Sequence, residues 1–340
     1  MKLLKRIGIV LVALVVVAAV IGFFLPRRVH VERSASINAP KSTVFTLVNS
    51  YRRFNEWSPW AALDPNTKYT FSGPAAGVGA KMSWTSSSPQ VGNGSQRIVA
   101  SQPYDSVTQR YELGPGMTAD ARFVLAQEAA ATRATWHFET DLGWNPFARY
   151  FGLMIERQVA PDFEKGLAGL KKLAEQLPPV DVSGLQVEAG EAKSVAIAFL
   201  SASSADSEDA LAAAIGASLA QVRLFLVNNN LTQAGAPRTI DTNWGGATRT
   251  FDVALPIDRL PSEPVPADSV VQVKGSYAGP VVKAIHKGPY GTLRNTSEKL
   301  LAWMAINGYT PNGNPWNEFV NDPGTVPAAE LVTNIYVPVK

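Results

Sequence analysis

Cysteine is absent from this chain of 340 residues, and histidine occurs only three times. Without thiols there is no disulfide framework, no thiolate metal site and no cysteine nucleophile. Charge is also scarce. Charged residues make up 17% of the chain and the formal net charge is +3, much of it beside the first apolar segment. A dedicated nucleic-acid binder carries a basic stripe; none occurs here, so no nucleic-acid partner is expected. There is likewise no nucleophile–base–orienter set, no metal-ligand motif and no phosphate-cradling glycine loop. His30 and His137 read as isolated structural residues, and His286 stands alone before a glycine turn, which argues against metal binding. No metal and no cofactor are expected.

What the chain does have begins with IGIVLVALVVVAAVIGFFL, an uncharged apolar run from Ile7 to Leu25. About 20 such residues at 1.5 Å each cross a hydrocarbon core of ~30 Å, and a helix satisfies its own backbone there. A secretory signal is the alternative, but its apolar region spans ~7–15 residues before a small-residue cleavage site. This run ends in Phe23-Phe24-Leu25-Pro26 instead. Lys2, Lys5 and Arg6 precede it and Arg27, Arg28 and Arg33 follow, so the positive-inside rule is nearly balanced. The expectation is a single-pass anchor in a bacterial inner (cell) membrane over residues 1–28, with the soluble domains in the periplasm. The remaining length suits two domains, placed at 29–177 and 178–340.

Val29 to Ile37 alternates and reads as a strand, and Lys41 to Asn49 as a short amphipathic helix. Candidate strands follow at Lys68–Ser72, Lys81–Thr85, Gln96–Ser101, Val107–Glu112, Ala121–Gln127 and Thr132–Thr140. A long helical pattern from Pro146 to Gln176 closes the segment. This order describes an α+β domain whose curved antiparallel sheet grips a long C-terminal helix, leaving an apolar cavity between them. Trp57, Trp60, Trp84 and Trp136 are candidates to line it for a lipophilic ligand, although large aromatics also dominate cores.

Ile37-Asn-Ala-Pro40, Phe54-Asn-Glu-Trp57-Ser-Pro-Trp60, Gly77-Val-Gly-Ala80, Thr135-Trp136 and Asp162-Phe-Glu-Lys-Gly166 carry a family resemblance. The segment resembles the polyketide-cyclase/START-type helix-grip (SRPBCC) superfamily. That resemblance implies a fold and a hydrophobic ligand cavity but no particular reaction, because the fold hosts carriers, cyclases and binding modules alike.

Leu177-Pro-Pro-Val180 breaks the chain. Asp181–Pro256 and Asp268–Lys340 then read as two copies of one β-α-β-β unit. The leading strands are expected at Leu185–Ser201 and Val270–His286, and the helices at Ser207–Asn228 and Gly291–Asn307. The copies end alike, in Asp252-Val-Ala-Leu-Pro256 and Asn334-Ile-Tyr-Val-Pro338. The cleft between two such halves is a natural ligand site. On His286-Lys-Gly-Pro-Tyr290, Leu300-Leu-Ala-Trp303, Pro315-Trp-Asn-Glu318 and Thr333 to Pro338, this domain resembles the GyrI-like (gyrase-inhibitor-like) effector-binding family. The family includes ligand-sensing modules of regulators, free-standing binding proteins and some hydrolases. Where a regulator would place a helix-turn-helix domain, this chain has the apolar segment.

One departure bears on chemistry. The resemblance implies a glutamate immediately before the last Ile-Tyr-x-Pro strand, as a contact for cations or an acid/base, and this chain has Asn334. An amide carries no charge and accepts no proton at neutral pH. Asp252, the repeat-equivalent residue, and Glu318 are the candidate carboxylates, though both residue types are more often solvated. Tyr290, Trp303, Trp316 and Tyr336 are candidates to surround the cleft and stack on planar or cationic ligands, with Trp303 also suited to packing on the sheet.

Three functions fit. The first is a membrane-tethered protein binding or sensing a small hydrophobic or cationic molecule. The second is a hydrolase-like or cyclase-like enzyme, in which Asp252→Asn would abolish turnover. The third is an envelope module that acts on a protein partner.

Overall fold

The computed structural model describes residues 2–113, 117–205, 207–243 and 248–340, with side chains from Lys5 onward. The side chain of Lys2, counted above among the flanking cations, lies outside the described residues. The chain forms two compact units, 1–183 with 306–308, and 184–305 with 309–340.

The first unit opens with helix α1 (Lys2–Phe24), which is long and apolar enough to cross a membrane and is almost wholly exposed. Strand β1 (Arg28–Ile37) and the short helices α2 (Lys41–Val48) and α3 (Phe54–Trp57) follow. Then come β2 (Lys68–Ser72), β3 (Lys81–Thr85), β4 (Asn93–Gln102), β5 (Ser106–Leu113), β6 (Thr118–Glu128) and β7 (Ala131–Asp141). All seven strands pair antiparallel in the order β1-β7-β6-β5-β4-β3-β2. The alternation expected at Val29–Ile37 is realised in β1, whose Val31 and Ile37 are buried while His30, Glu32 and Ser34 face solvent.

Helix α4 (Ala148–Glu175) lies on the sheet and is gripped through Phe163, Gly166, Leu167, Leu170 and Ala174, a stripe at helical spacing. Its glycines set the depth of that grip. A Cβ on Gly169 would stand 2.5 Å from the carbonyl oxygen of Trp57, a backbone atom that cannot swing aside. Glycine to alanine inside a helix normally stabilises by about 1 kcal/mol, but overpacking against backbone costs ~1–3 kcal/mol. Gly169→Ala is therefore expected to lower the unfolding midpoint of this unit, measured by thermal denaturation; a rise would show that α3 can retreat freely.

The second unit holds one eight-stranded antiparallel sheet. Its strands are β8 (Val187–Ala192), β9 (Ala196–Ala205), β10 (Arg238–Asn243), β11 (Thr248–Pro256), β12 (Gln272–Gly275), β13 (Gly279–Lys287), β14 (Trp316–Phe319) and β15 (Val332–Pro338). The order is β12-β9-β11-β10-β14-β15-β13-β8. Helices α5 (Glu208–Asn228) and α6 (Leu293–Ile306) fall where the duplication places them. The side chain of Ser207 caps α5 by accepting from the Ala210 N–H, and Glu208 and Asp209 occupy the first turn. α5 is also apolar enough to span a membrane by composition, but its Val222 and Leu226 are buried against Ala198, Leu200 and Leu255. The matching cluster in the second half unites Leu300 and Met304 with Val282, Ala284, Ile335 and Val337.

The duplication extends to individual hydrogen bonds. Leu231 N–H donates to the Leu226 carbonyl and Tyr309 N–H to that of Met304, each at 2.9 Å. Ala234 likewise donates to Pro256, and Asn312 to Pro338, each at 2.8 Å.

The leading strands differ from expectation. Leu185–Ser201 and Val270–His286 each break into two strands, and the first piece of each joins the other half: β8 pairs with β13, and β12 pairs with β9. The two breaks are tied to each other, with Ser276 N–H donating to Val195 O (2.8 Å) and Val195 N–H to Ser276 Oγ (3.0 Å). Each half thereby covers an edge that the other would leave unpaired.

Candidate functional site

Between the sheet and α4 of the first unit lies a cavity of about 330 Å³. Two cross-strand rows form its sheet wall. Tyr69, Trp84, Gly94 and Leu113 are in register across β2 to β5, and Met82, Gln96, Tyr111 and Ala119 across β3 to β6. The helix wall comes from Ile155, Gln158, Val159 and Asp162, spaced as one face of α4. Gly94 leaves room for an aromatic: a Cβ there would meet the Trp84 ring at 2.5 Å. Trp60 completes the lining and donates its indole N–H to Asp162 Oδ2 at 3.2 Å.

The lining is mainly apolar, and Ser58, Gln90, Gln96, Thr140, Gln158 and Asp162 are among its polar members. Gln96 is 1% exposed, and neither its amide oxygen nor its amide nitrogen has a hydrogen-bond partner among the described residues. A buried amide without partners costs on the order of 1–3 kcal/mol, so a bound polar group that satisfied it would recover that deficit. Its neighbour Tyr111 is already engaged, donating to Gln109 Oε1 at 3.2 Å, and burial pushes that phenol up, keeping it neutral.

The four tryptophans therefore divide. Trp60 and Trp84 line the cavity. Trp57 and Trp136 do not; they are core residues, 3% and 0% exposed. Trp136 is sandwiched between Phe163 at 3.9 Å and Phe123 at 4.7 Å, and Trp57 meets it edge-on at 5.8 Å.

In the second unit both helices pack on one face of the sheet, and the candidate site residues gather on the other. Trp316 and Tyr336 stack in parallel with centroids 4.8 Å apart, and Tyr277 leans on Trp316 at 5.9 Å. Beside them is a depression of about 390 Å³ lined by Arg238, Ile240, Lys274, Tyr277, Asn314 and Trp316, among others. Glu318 shares this face and accepts from Arg238 at 2.9 Å and from the Asn334 amide at 3.2 Å. Asp252, 4% exposed, accepts from Lys274 Nζ at 2.8 Å and Ser201 Oγ at 2.7 Å. Both candidate carboxylates are thus held by the chain's own cations. Burial and the neighbouring Glu318 carboxylate raise the pKa of the Tyr336 phenol.

Tyr290 and Trp303 are not part of this cluster. Tyr290 packs edge-on against Phe319, whose side chain alternates to the other side of β14 from Trp316 and Glu318. Trp303 stacks on Tyr309 and packs against the α6 core. His286 is buried and bonded to Thr296 Oγ1 (2.8 Å) and Pro289 O (3.2 Å), a set that pins the glycine turn to α6.

His30 and His137 are not isolated. Strand pairing sets Glu32 directly opposite His137, and alternation puts His30 on the same outer face. Glu32 Oε2 lies 3.2 Å from His137 Nδ1 and 3.6 Å from His30 Nε2.

Comparison with known proteins follows the two units. Residues 28–175 match the family model for polyketide cyclase/dehydrase and lipid transport proteins, and residues 253–340 match the GyrI-like small molecule binding domain. Among solved structures, the chain resembles the C-terminal domain of EcmrR at 18% identity, covering 46% of this chain and 98% of that one, with a TM-score of 0.37. It also resembles protein CV1439 from Chromobacterium violaceum at 13% identity, covering 44% of this chain and 99% of that one (TM-score 0.33). Ara h 8.0201 is similar at 11% identity over 44% of this chain and 99% of its own (TM-score 0.34). No curated protein matches.

Proposed function

We propose that this chain, a polyketide cyclase/dehydrase-type helix-grip domain followed by a GyrI-like small-molecule-binding domain, is a membrane-anchored binding protein for a lipophilic molecule bearing one hydrogen-bonding group. The observation that carries this reading is the Gln96 amide, buried with no partner among the described residues in the wall of a mainly apolar cavity. Natural cavities of ~300–1,000 Å³ hold ligands through apolar contact, with a few polar groups fixing orientation, and this one has that composition. α1 serves as the anchor, single-pass in the inner membrane, with both domains on the periplasmic side. Its apolar length and its exposure support that assignment.

Two measurements test it. Adding N-phenyl-1-naphthylamine, an aromatic amine with one N–H, to the full chain in micelles should give saturable quenching of tryptophan emission. Trp84→Ala should weaken the affinity about tenfold or more, the loss expected for a large buried aromatic contact. An unsaturable response, or equal affinity in Trp84→Ala, would remove the cavity as the site. For the anchor, mass spectrometry of the protein from native membranes should find the α1 sequence intact; a mature chain beginning after Leu25 would make the segment a cleaved signal.

A further inference from the structure

The cavity and the anchor share a wall, and the joint between them is built in detail. The last carbonyls of a helix have no partner within it, and in lipid they must find one. Arg149, in the first turn of α4 and 6% exposed, supplies it for α1: its Nη1 donates to the carbonyls of Phe23 (2.7 Å) and Leu25 (3.3 Å). The positive charge also sits at the favourable end of the α1 dipole. Deeper along α1, the Tyr150 hydroxyl donates to the carbonyl of Ala18 at 2.7 Å. Ala18 lies six residues before Phe24, about 9 Å down the helix axis. The backbone of Pro146 occupies the place where a Gly22 side chain would stand. The start of α4 is therefore held at the level of the last turns of α1.

At that level the surface is apolar. Trp144, Phe147, Phe151, Leu153 and Met154 are 74, 45, 67, 57 and 55% exposed, a concentration that water disfavours. It stops abruptly at Glu156 and Arg157. Arg27 lies over the Trp144 ring at 5.2 Å, the pairing of aromatic ring and cation typical of the headgroup boundary. One turn beyond Phe151 on the same helix face comes Ile155, followed by Gln158 and Val159, which line the cavity.

We propose that the first two turns of α4, with Trp144, sit in the bilayer beside α1, and that the cavity takes its ligand sideways from the lipid. This inference rests on the anchor assigned above, and its test separates the two. Because the chain lacks cysteine, single substitutions Val16→Cys, Phe151→Cys and Lys172→Cys can each carry a nitrobenzoxadiazole label. The full chain is placed in vesicles of phosphatidylcholine and phosphatidylglycerol with some lipids spin-labelled on the acyl chain. Labels at positions 16 and 151 should be blue-shifted and quenched, and the label at 172 neither. Quenching at 16 with position 151 behaving like 172 overturns the inference and leaves the anchor standing; no quenching at 16 removes the anchor itself. In a kinetic arm, N-phenyl-1-naphthylamine is delivered from the same vesicles. Phe151→Asp/Met154→Asp should slow its transfer about tenfold, an activation change near 1.4 kcal/mol, with unchanged equilibrium affinity. Equal transfer rates would overturn lateral loading.

A separate observation carries a second proposal. Donor atoms of His30, Glu32 and His137 lie within 4.8 Å of one another on the outer face of β1 and β7. Two imidazoles and a carboxylate suit Zn²⁺, with bonds of ~2.0–2.2 Å and water completing the shell. We infer that these three residues bind a divalent transition metal. Calorimetric titration of the full chain with zinc chloride should give one site per chain, weakened about tenfold or more in His30→Ala, His137→Ala and Glu32→Gln. Absence of saturable binding, or affinity unchanged in both histidine variants, would overturn the assignment.

Discussion

Gln96→Leu is expected to stabilise the helix-grip unit while weakening its hold on ligand. The two effects share one cause. Gln96 is inside a ten-residue strand, 1% exposed, with both amide atoms unpartnered among the described residues. Leucine of similar volume keeps the wall between Met82 and Tyr111 filled and removes a stranded donor and acceptor. Replacing such a group by an apolar one should add about 1–3 kcal/mol to unfolding free energy in denaturant titrations. Ligands that hydrogen-bond to the amide should lose about tenfold to a hundredfold in affinity, and purely hydrocarbon ligands should bind as well as before or better. A residue conserving only structure gives the opposite pair of signs. If Gln96→Leu destabilises the unit, the amide has a partner in solution and the cavity is not organised around it.

That expectation also marks what the sequence could and could not disclose. Residue patterning located β1 to β7 and α4 because most of these strands, though not the largely exposed β2, keep one more buried face and the helix has a stripe of Phe163, Leu167 and Leu170. It could not separate Trp57 from Trp60, three residues apart on a short helix and its exit, because which aromatic meets Phe123 in the core and which lines the cavity depends on packing between distant elements. Gln96 looked like an ordinary polar residue at a strand start; only its register between Met82 and Tyr111 turns it inward. The duplication in the second unit was legible from its parallel endings. The exchange of β8 and β12 was not, since two strands in line and one strand broken to serve two edges have the same composition. Glu32 and His137 are separated by over a hundred residues in the chain and meet through the β1–β7 ladder. The same limit hid Arg238, whose partner Glu318 lies on a strand of the other repeat.

Arg238 is expected to restrict which ligands the second domain can take. Glu318 stands beside the Trp316–Tyr336 stack, an arrangement of flat rings and carboxylate that would suit a planar cation. In this chain the guanidinium of Arg238 already occupies that carboxylate, at 2.9 Å. An incoming cation must displace it, so the native protein should bind planar cations such as ethidium weakly. Arg238→Met should strengthen that binding about tenfold or more, consistent with an unmasked carboxylate and cation–π contact of ~2 kcal/mol. The same change strands a charge that is largely buried, both side chains retaining less than a fifth of their exposure. Breaking one side of a buried pair costs ~3–5 kcal/mol, and this partly solvated pair belongs near the lower figure. Adding Glu318→Gln to Arg238→Met should restore much of the stability, because no unpaired charge remains, and should erase the gain for ethidium. A double variant that still binds ethidium tightly would place the cation elsewhere, and a native chain that binds it as tightly as Arg238→Met would show that the ion pair opens without measurable resistance.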